Sequence, residues 1–494
     1  MAASHFRSSR HELVGGPASA RPGRGARAGQ GVHVPATDPL AERDAWHLLR
    51  RAGFGARASE VAELAGQSRA AAVDALLEAR ASSRLGPGGK KSKRHTLERL
   101  QGWWLRRMTS PRSRLREKMA LFWHDHFPSS LGLVHRVDSL AEQNALFRLH
   151  GLGPFRELLH QVTRDPAMLE YLDGRRNRMG AVNENYGREL LELFALGSRD
   201  DDGFENYRQA DVANLARSLT GFGFDSVGNP VVAVSPTGFD PSRKTLFVGR
   251  PFVHSGVLGV EDSDGTPFPA STNVLDAVFA HRDARGRPTL ARFLVRKLWA
   301  WFATPDADEA VVQELSQVFV NSGYVVGDVL RALLTHDAFY SEAARSSTAK
   351  TPVEFVVQAL LALDVKPDWQ RLQRPLLRMG MSLFEPPGVQ GWQHGAAWLN
   401  AGRYLTRMAM AQAIASGRSR DDGFVFQPSV PDGATPTSLV DAAIAQLGLE
   451  VSALTRKRLI DYVSGGTFGT ESWYEMKLRG LYALLLSLPE FQVH

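Results

Sequence analysis

The segment FWHDHF at positions 122–127 places two histidines on either side of an aspartate. Neutral imidazole is a common metal ligand and a usual general base near neutral pH, so His124 and His126 are candidate catalytic residues and candidate metal ligands. On a regular helix, His126 lies about 20° from the apolar stripe that includes Leu115, whereas His124 lies about 180° from it. The two imidazoles can converge only if the helix ends inside the segment, which Pro128 favours by restricting the preceding residue.

A structural interpretation of this segment is equally open. In that interpretation, His126 is a core histidine that bonds a backbone carbonyl, while His124 and Asp125 face solvent or pair locally. A catalytic role requires polar partners from elsewhere in the chain.

The segment NENYGRELLELFAL at positions 183–196 offers such partners. It predicts a helix with Asn183 as N-cap, and at about 100° per residue its acidic and apolar side chains separate onto opposite faces. On an exposed face, Glu184 and Arg188 belong to a ladder of ion pairs worth a few tenths of a kcal/mol each. In a cleft, Glu184 and Glu189 could instead bind a metal or transfer protons, and Arg188 could hold an anionic group.

A further stretch, EPPGVQGWQHGAAWLN from Glu385, carries two tryptophans close together among turn residues. Trp392 and Trp398 could form a stacking surface for a sugar, or they could be buried and brace a loop. Trp123, inside the histidine segment, is a second candidate for substrate binding.

Composition limits the classes of function. The chain has 494 residues, 43% of them hydrophobic and 22% charged, as in ordinary globular proteins. It has no cysteine, which excludes disulfides, thiolate metal sites and cysteine nucleophiles. Motifs for a serine elbow, a phosphate loop, a zinc-protease helix and a dinucleotide site are also missing.

The net charge of +7 is unevenly distributed. Residues 1–37 and the run KKSKRH at 90–95 each carry a net charge of +4, which leaves the rest of the chain near neutral. A neutral body has no excess of cations to follow a phosphate backbone, so no nucleic-acid partner is predicted.

Residues 1–40 are predicted to be a disordered basic tail, and residues 84–95 a basic loop. The tail has no apolar run of the roughly 7–15 residues that a secretory signal needs. No later segment offers the roughly 18 apolar residues of a membrane span. As written, the sequence predicts a cytoplasmic protein.

From residue 41 to 494 the apolar residues recur at helical spacing, with Thr96 and Asn206 among the predicted N-caps. Residues 222–270 instead alternate short β-branched runs with Gly and Pro. The predicted fold is mainly α: one large helical body with a small irregular or β-hairpin insertion at 222–270.

Several stretches together resemble a large bacterial family known as domain of unknown function 1800. They are HLLRRAGFGA, LREKMALFWHDHF, FRELLHQVTRDPAMLEYLDGRRN, NENYGRELLELFALG, YRQADVANLARSLTGF, ARFLVRKLWAWF, KTPVEFVV and EPPGVQGWQHGAAWLN. They occur in the family's order over about residues 44–490.

The resemblance implies kinship without implying a reaction. Its motifs add Asp173, Asn177, Arg217 and Lys297 to the candidate residues. Members are commonly exported and often encoded beside a sulfatase-like protein, which implies a sulfatase-like partner. The sequence departs from the family pattern at Gly174, at Phe239 before Asp240, and at Met381 and Gly388. The Phe239 departure removes a potential third histidine of a metal site.

Two hypotheses follow. The first is a hydrolase-like enzyme that acts on a carbohydrate or other polymer. Its catalysis would use either a divalent metal or an acid–base pair without a metal. Its catalytic residues would be His124, His126, Asp173, Glu184, Arg188 and Glu189. Its substrate-binding residues would be Trp123, Asn177, Asn185, Arg217, Lys297 and Trp392, and its metal ligands His124, His126 and Glu184. The alternative is a non-catalytic helical binding or scaffold protein of the cell envelope, in which these polar groups fix helix packing.

Overall fold

The computed structural model describes residues 38–78, 86–87, 93–223, 233–235, 237–250, 252–260, 272–419 and 421–494. Nearly all of the predicted tail, residues 1–40, lies outside these ranges, as does most of the predicted loop at 84–95. The last three residues of that predicted loop, 93–95, belong to a helix. The described residues are mainly α-helical, which confirms the predicted fold class.

Helices follow one another closely in the first part of the chain. The α-helices span Glu42–Arg51, Ala58–Leu64, Arg69–Leu77, Lys93–Met108, Arg114–His126, Leu131–Val134, Val137–His150, Phe155–Thr163, Pro166–Tyr171 and Asn185–Glu189, with a 3-10 turn at Gly174–Arg176 and a π-helical segment at Leu190–Ala195.

The second part is also helical. Its α-helices span Gln209–Ser218, Leu275–Ala280, Thr289–Phe302, Glu309–Asn321, Val326–Thr335, Pro352–Ala362, Gln373–Arg378, Ala401–Ser416, Pro436–Gln446, Ala453–Ser464, Glu471–Trp473, Arg479–Ser487 and Pro489–Gln492, with a π-helical segment at Tyr474–Leu478 and 3-10 turns at Asp337–Tyr340, Trp369–Leu372 and Gly395–Leu399.

Strands in the described residues occur only as short pairs, most of them in the region predicted to be irregular. Phe222–Gly223 pairs with Ala233–Val234, Lys244–Leu246 with His254–Gly256, Leu258–Gly259 with Thr272–Asn273, and Lys366–Pro367 with Phe424–Val425. The third pair is parallel and the others are antiparallel. These pairs confirm the small β excursion of the predicted fold.

The helix starts differ from the predicted N-caps. The helix predicted to begin after Asn206 begins at Gln209 with Arg208 as its N-cap. Thr351 and Glu354 form a capping box with Pro352 at the first helical position, a standard arrangement for a helix start. Thr96 does not cap a helix, because the helix begins at Lys93 and Thr96 is buried inside it. The helix predicted at 183–196 begins at Asn185 and becomes π-helical at Leu190.

The Arg114–His126 helix lies deep in the core. Nearly every one of its side chains is buried, including the charged residues Glu117 and Lys118. Glu117 accepts hydrogen bonds from Trp104 Nε1 at 3.0 Å and from Arg148 Nε at 2.8 Å, so its charge is compensated. Because the helix is packed on almost all sides, its last residues, His124 to His126, are held in place by the core.

Within the part of the chain that the structure describes, no helix is both long enough and apolar enough to cross a membrane.

Candidate functional site

The helix that carries the FWHDHF segment ends at His126, so its end falls inside the segment as predicted. His124 nevertheless points away from solvent and is 1% exposed. Its ring packs against Phe384 at 5.4 Å and Trp392 at 5.3 Å between ring centroids, and no described residue hydrogen-bonds its Nε2. Burial lowers the pKa of His124 to about 3, which keeps the imidazole neutral.

His126 is a neutral imidazole with both nitrogens engaged. Its Nε2 lies 3.0 Å from the carbonyl oxygen of Phe194. Because a carbonyl only accepts, Nε2 carries the proton, and Nδ1 accepts from Lys297 Nζ at 3.2 Å. Burial and the charge of Lys297 hold the pKa of His126 well below its ordinary value. The bond to Phe194 is the backbone contact that the structural interpretation predicted.

Asp125 departs from the structural interpretation, which placed it in solvent or in a local pair. Its side chain is only 11% exposed, and its partners come from the stretch that begins at Glu385. The backbone N–H of Trp392 donates to Oδ1 at 2.7 Å, and Oδ2 lies 3.3 Å from His394 Nε2. The Asp125 carboxylate raises the pKa of His394, against the opposing effects of burial and of Lys297. The contact is a carboxylate–imidazole pair.

The loop around Asp125 depends on a glycine. Gly391 has φ +76° and passes so close to Asp125 that a Cβ atom would overlap the Asp125 carboxylate and carbonyl oxygens. This close approach brings the Trp392 N–H and the His394 ring to the carboxylate. Trp392 itself is 5% exposed, so it braces the loop and offers no open stacking surface.

Asp125, His126, Lys297 and His394 share a cavity of about 500 Å³. Phe122, Trp301 and Trp398 supply aromatic walls. The remaining lining residues are Arg51, Ala300, Pro305, Thr348, Ala349, Thr351, Glu354, Gln390, Gly395 and His494.

Lys297 lines this cavity and is partly buried. Its Nζ donates to the carbonyl oxygen of Leu193 at 2.8 Å and to His126 Nδ1. Burial lowers the pKa of Lys297 to about 8, although the nearby Asp125 acts to raise it. The side chain is cationic at neutral pH and is held by two neutral acceptors.

Arg51 is a second buried cation of the cavity lining, 2% exposed. Its guanidinium donates to the carbonyl oxygens of Phe302 at 2.5 Å and Ala303 at 2.8 Å and to the Thr348 hydroxyl. Burial lowers the pKa of Arg51 to about 10, so the group stays charged. Its direct partners are all neutral.

Glu354 is the second acid of the cavity lining, and its charge is already compensated. It forms an ion pair with Lys118 and lies 3.2 Å from His494 Nε2. Although burial acts to raise the pKa of Glu354, these two neighbours hold it well below its ordinary value. Glu354 also accepts from the Thr351 N–H at 2.7 Å.

The predicted acidic face of the Asn185–Glu189 helix lies outside the cavity lining. Glu184 accepts from Arg188 Nη2 at 2.9 Å and from Gln209 Nε2 at 2.7 Å, which is the ion-pair ladder that the exposed-face alternative describes. Glu189 is partly buried, and burial followed by the charge of Glu192 raises its pKa. Asn185 is exposed.

Other predicted site residues make internal contacts away from the cavity. Asp173 pairs with Arg176 at 3.0 Å, and Arg217 donates to Asp240 at 2.8 Å. Asn177 Nδ2 donates to the carbonyl oxygen of Ala216 at 2.8 Å.

Trp123 is a core residue and does not line the cavity. It is fully buried, and its Nε1 donates to the Gly151 carbonyl at 2.8 Å. Of the twelve residues predicted to bind substrate or catalyse, His126 and Lys297 line the cavity.

The predicted metal set is dispersed. Among the described residues, no group of three or more His, Cys, Asp or Glu side chains is placed to hold a metal ion. His124 packs among aromatic rings, His126 bonds Phe194 and Lys297, and Glu184 pairs with Arg188. The geometry therefore gives no support to a site made of His124, His126 and Glu184.

Sequence reasoning missed His394, Arg51, Trp301 and Glu354, and it treated Asp125 only as a surface or locally paired residue. One signal was present for His394: a histidine in a glycine-rich turn between two tryptophans. Nothing in the local sequence linked that turn to Asp125.

Comparison with known proteins gives one result. No curated protein and no solved structure matches the chain. The family model described as "Protein of unknown function (DUF1800)" matches residues 47–493, nearly the whole chain. The match agrees with the resemblance carried by the eight ordered motifs, and the chain belongs to the DUF1800 family.

Proposed function

We propose that the protein is a hydrolase that cleaves a bond in a carbohydrate or related polymer within the 500 Å³ cavity. His394 acts as the general base and then the general acid, and Asp125 is the residue that positions it. The observation that carries this proposal is the 3.3 Å contact between Asp125 Oδ2 and His394 Nε2 at the edge of the cavity.

The orientation of the imidazole defines its part in the reaction. Since Nε2 faces the carboxylate, Nδ1 is the nitrogen that exchanges a proton with water or substrate. At an ester of the polymer, Nδ1 takes a proton from water while the water oxygen forms a bond to the carbonyl carbon, whose π electrons move to the carbonyl oxygen. As the carbonyl re-forms, the bond from that carbon to the leaving oxygen breaks, and the protonated imidazole returns its proton to the leaving oxygen.

The Asp125 carboxylate stabilises the positive charge that His394 gains during this cycle. The imidazolium that forms during water attack lies beside the Asp125 carboxylate, which favours the charged ring. A histidine whose pKa is raised by a neighbouring carboxylate suits general acid–base catalysis, which typically contributes about 10²–10⁴-fold.

The lining supports direct attack by water. The Thr348 hydroxyl accepts from Arg51, and the Thr351 hydroxyl caps its own helix by accepting from the Glu354 N–H at 3.3 Å. Both hydroxyls are thus engaged in holding the structure, and the lining contains no serine.

The size and walls of the cavity support the substrate class. Ligand pockets usually enclose about 300–1,000 Å³, and this cavity lies in that range at about 500 Å³. Trp301 lines the cavity and is partly exposed, and aromatic faces pack well against the apolar face of a sugar ring. Trp398 also lines it but is 1% exposed, so it braces the wall as Trp392 braces the loop.

The test is hydrolysis of a panel of 4-methylumbelliferyl glycosides and 4-methylumbelliferyl acetate. We expect the wild type to release fluorophore from at least one compound and His394→Gln to lose about 100-fold or more of that rate. The matched control is His254→Gln, because His254 is a partly exposed histidine outside the cavity lining.

Equal rates in wild type and His394→Gln would overturn the proposal. So would a wild type that hydrolyses no compound of the panel while binding sugars in the cavity, which would favour the non-catalytic binding or scaffold alternative.

A further inference from the structure

We infer that the ligand of this cavity carries an anionic oxygen group, such as a carboxylate, sulfate or phosphate, that binds the Lys297 ammonium. The inference rests on the proposed function for the claim that this ligand is the substrate. Binding of the anion does not itself require hydrolysis.

The first observation is the hydrogen bonding of Lys297. An ammonium has three N–H donors, and the contacts to the Leu193 carbonyl and to His126 Nδ1 use two of them. No hydrogen bond to a described residue uses the third donor, and the ammonium, which lines the cavity, lies 4.9 Å from the centroid of the Phe293 ring. No described carboxylate lies within 4.0 Å of Nζ, so the charge has no ion-pair partner in the described part of the chain.

The second observation is the charge balance of the lining. Glu354 is paired with Lys118. The hydrogen bonds of Lys297 and Arg51 go to neutral acceptors, although the Asp125 and Glu354 carboxylates act on the two cations at longer range. Arg51, Lys297 and Lys118 are three cations against these two carboxylates, and this excess of one positive charge, which does not depend on His394, favours an anion.

The third observation is the combination of cation and aromatic wall. Trp301, which is partly exposed, offers an apolar face, while Lys297 offers a charged donor. A ligand that satisfies both has a ring and a negatively charged substituent. Within the proposed substrate class, this describes an acidic sugar such as a uronic acid or a sulfated or phosphorylated sugar.

The pKa of Lys297, lowered by burial to about 8, is consistent with this role. The ammonium is charged at neutral pH, and its contribution to anion binding falls as the pH rises through about 8.

The experiment measures binding by isothermal titration calorimetry at pH 7 with four probes: D-glucose, D-glucuronate, D-glucose 6-sulfate and D-glucose 6-phosphate. We expect at least one anionic probe to bind about tenfold or more tightly than D-glucose, since a charge-assisted hydrogen bond contributes at least that much. The three anionic probes distinguish a carboxylate from a sulfate and a phosphate.

Lys297→Gln is expected to bind D-glucose and the anionic probes with similar affinity, so that the preference is lost. The matched control is Lys457→Gln, which removes an exposed lysine paired with Asp461. If Lys297→Gln does not fold, His394→Gln compared at pH 6.5 and pH 9.5 supplies the contrast without the titration of His394, with the preference expected only at the lower pH.

Equal affinity for D-glucose and all three anions, or an anion preference that persists in Lys297→Gln, would overturn the inference. The measurement is repeated in His394→Gln, which should retain anion binding. Anion binding without hydrolysis by the wild type would remove the proposed function and leave this inference standing.

Discussion

His394 Nε2 lies 3.3 Å from Asp125 Oδ2, which joins an exposed loop histidine to the end of a buried helix. The His394 side chain is 60% exposed, whereas the Asp125 side chain is 11% exposed. The helix supplies a fixed carboxylate, and the loop supplies an imidazole that water and ligands can reach. The loop conformation is therefore as important to the site as the two side chains.

Gly391→Ala should disrupt the pair. Gly391 has φ +76°, and an added Cβ would overlap the Asp125 carboxylate and carbonyl oxygens, so the loop must shift away from Asp125. We expect hydrolysis to fall by about tenfold or more, and the free energy of unfolding to fall by about 1–3 kcal/mol from the backbone strain. Initial rates and urea unfolding measure the two effects.

Gly388→Ala is the control, because an added Cβ there meets no atom within 4 Å and Gly388 lies in the same loop. Its rate and stability should match those of the wild type. A Gly391→Ala variant as active as Gly388→Ala would contradict the role assigned to the loop.

His126→Ala should destabilise the fold. The change leaves the Phe194 carbonyl without its donor, leaves Lys297 with one acceptor fewer, and opens a void among aromatic rings. We expect a loss on the order of 3 kcal/mol in the free energy of unfolding, measured by urea denaturation. His254→Ala should cost much less, and equal costs for the two variants would show that His126 does not support the core.

Asp165 should make stability depend on pH. Burial raises the pKa of Asp165 to about 7, although it accepts from Gln143 Nε2 at 2.7 Å and from the Met168 N–H at 2.8 Å. The folded protein thus holds this proton more tightly than the unfolded chain, so Asp165 stabilises the fold at low pH and that contribution is lost as pH rises from about 4 to about 7.

Asp165→Asn removes the titration and retains an acceptor. Its urea midpoint should change less between pH 4.5 and pH 7.5 than that of the wild type. Asp432→Asn, in an exposed turn, should behave as the wild type does. If the urea midpoint changes equally with pH in the wild type and in Asp165→Asn, the role assigned to Asp165 is contradicted.

The fold class and the family could be predicted because they depend on local and ordered signals. The helical faces of the segment after Asn183 are largely as predicted, with Tyr186, Leu190 and Phe194 buried and Glu184 partly exposed. Leu193, predicted inward, is only partly buried, and Leu191 is buried instead, in the π-helical part of the segment. The same pattern could not show whether the acidic face meets solvent or a cleft, because that depends on which elements pack nearby.

The candidate site could be predicted only in part. Pro128 correctly indicated a helix end within the histidine segment. The Arg114–His126 helix is buried on almost all sides, so an argument from a single apolar stripe could not distinguish an exposed side from a buried one. His394 belongs to a turn without periodicity, and its contact with Asp125 arises only from tertiary folding.

The central claim is that Asp125 and His394 form a proton-transfer pair. The most direct test is an NMR pH titration of the His394 ring in 15N-histidine-labelled protein, in wild type and Asp125→Asn, with His394→Gln used to assign the signal. We predict a pKa above the ordinary histidine value in the wild type and a lower pKa in Asp125→Asn, because the variant removes the carboxylate that favours the charged ring. A His394 pKa that is the same in both proteins would contradict the claim.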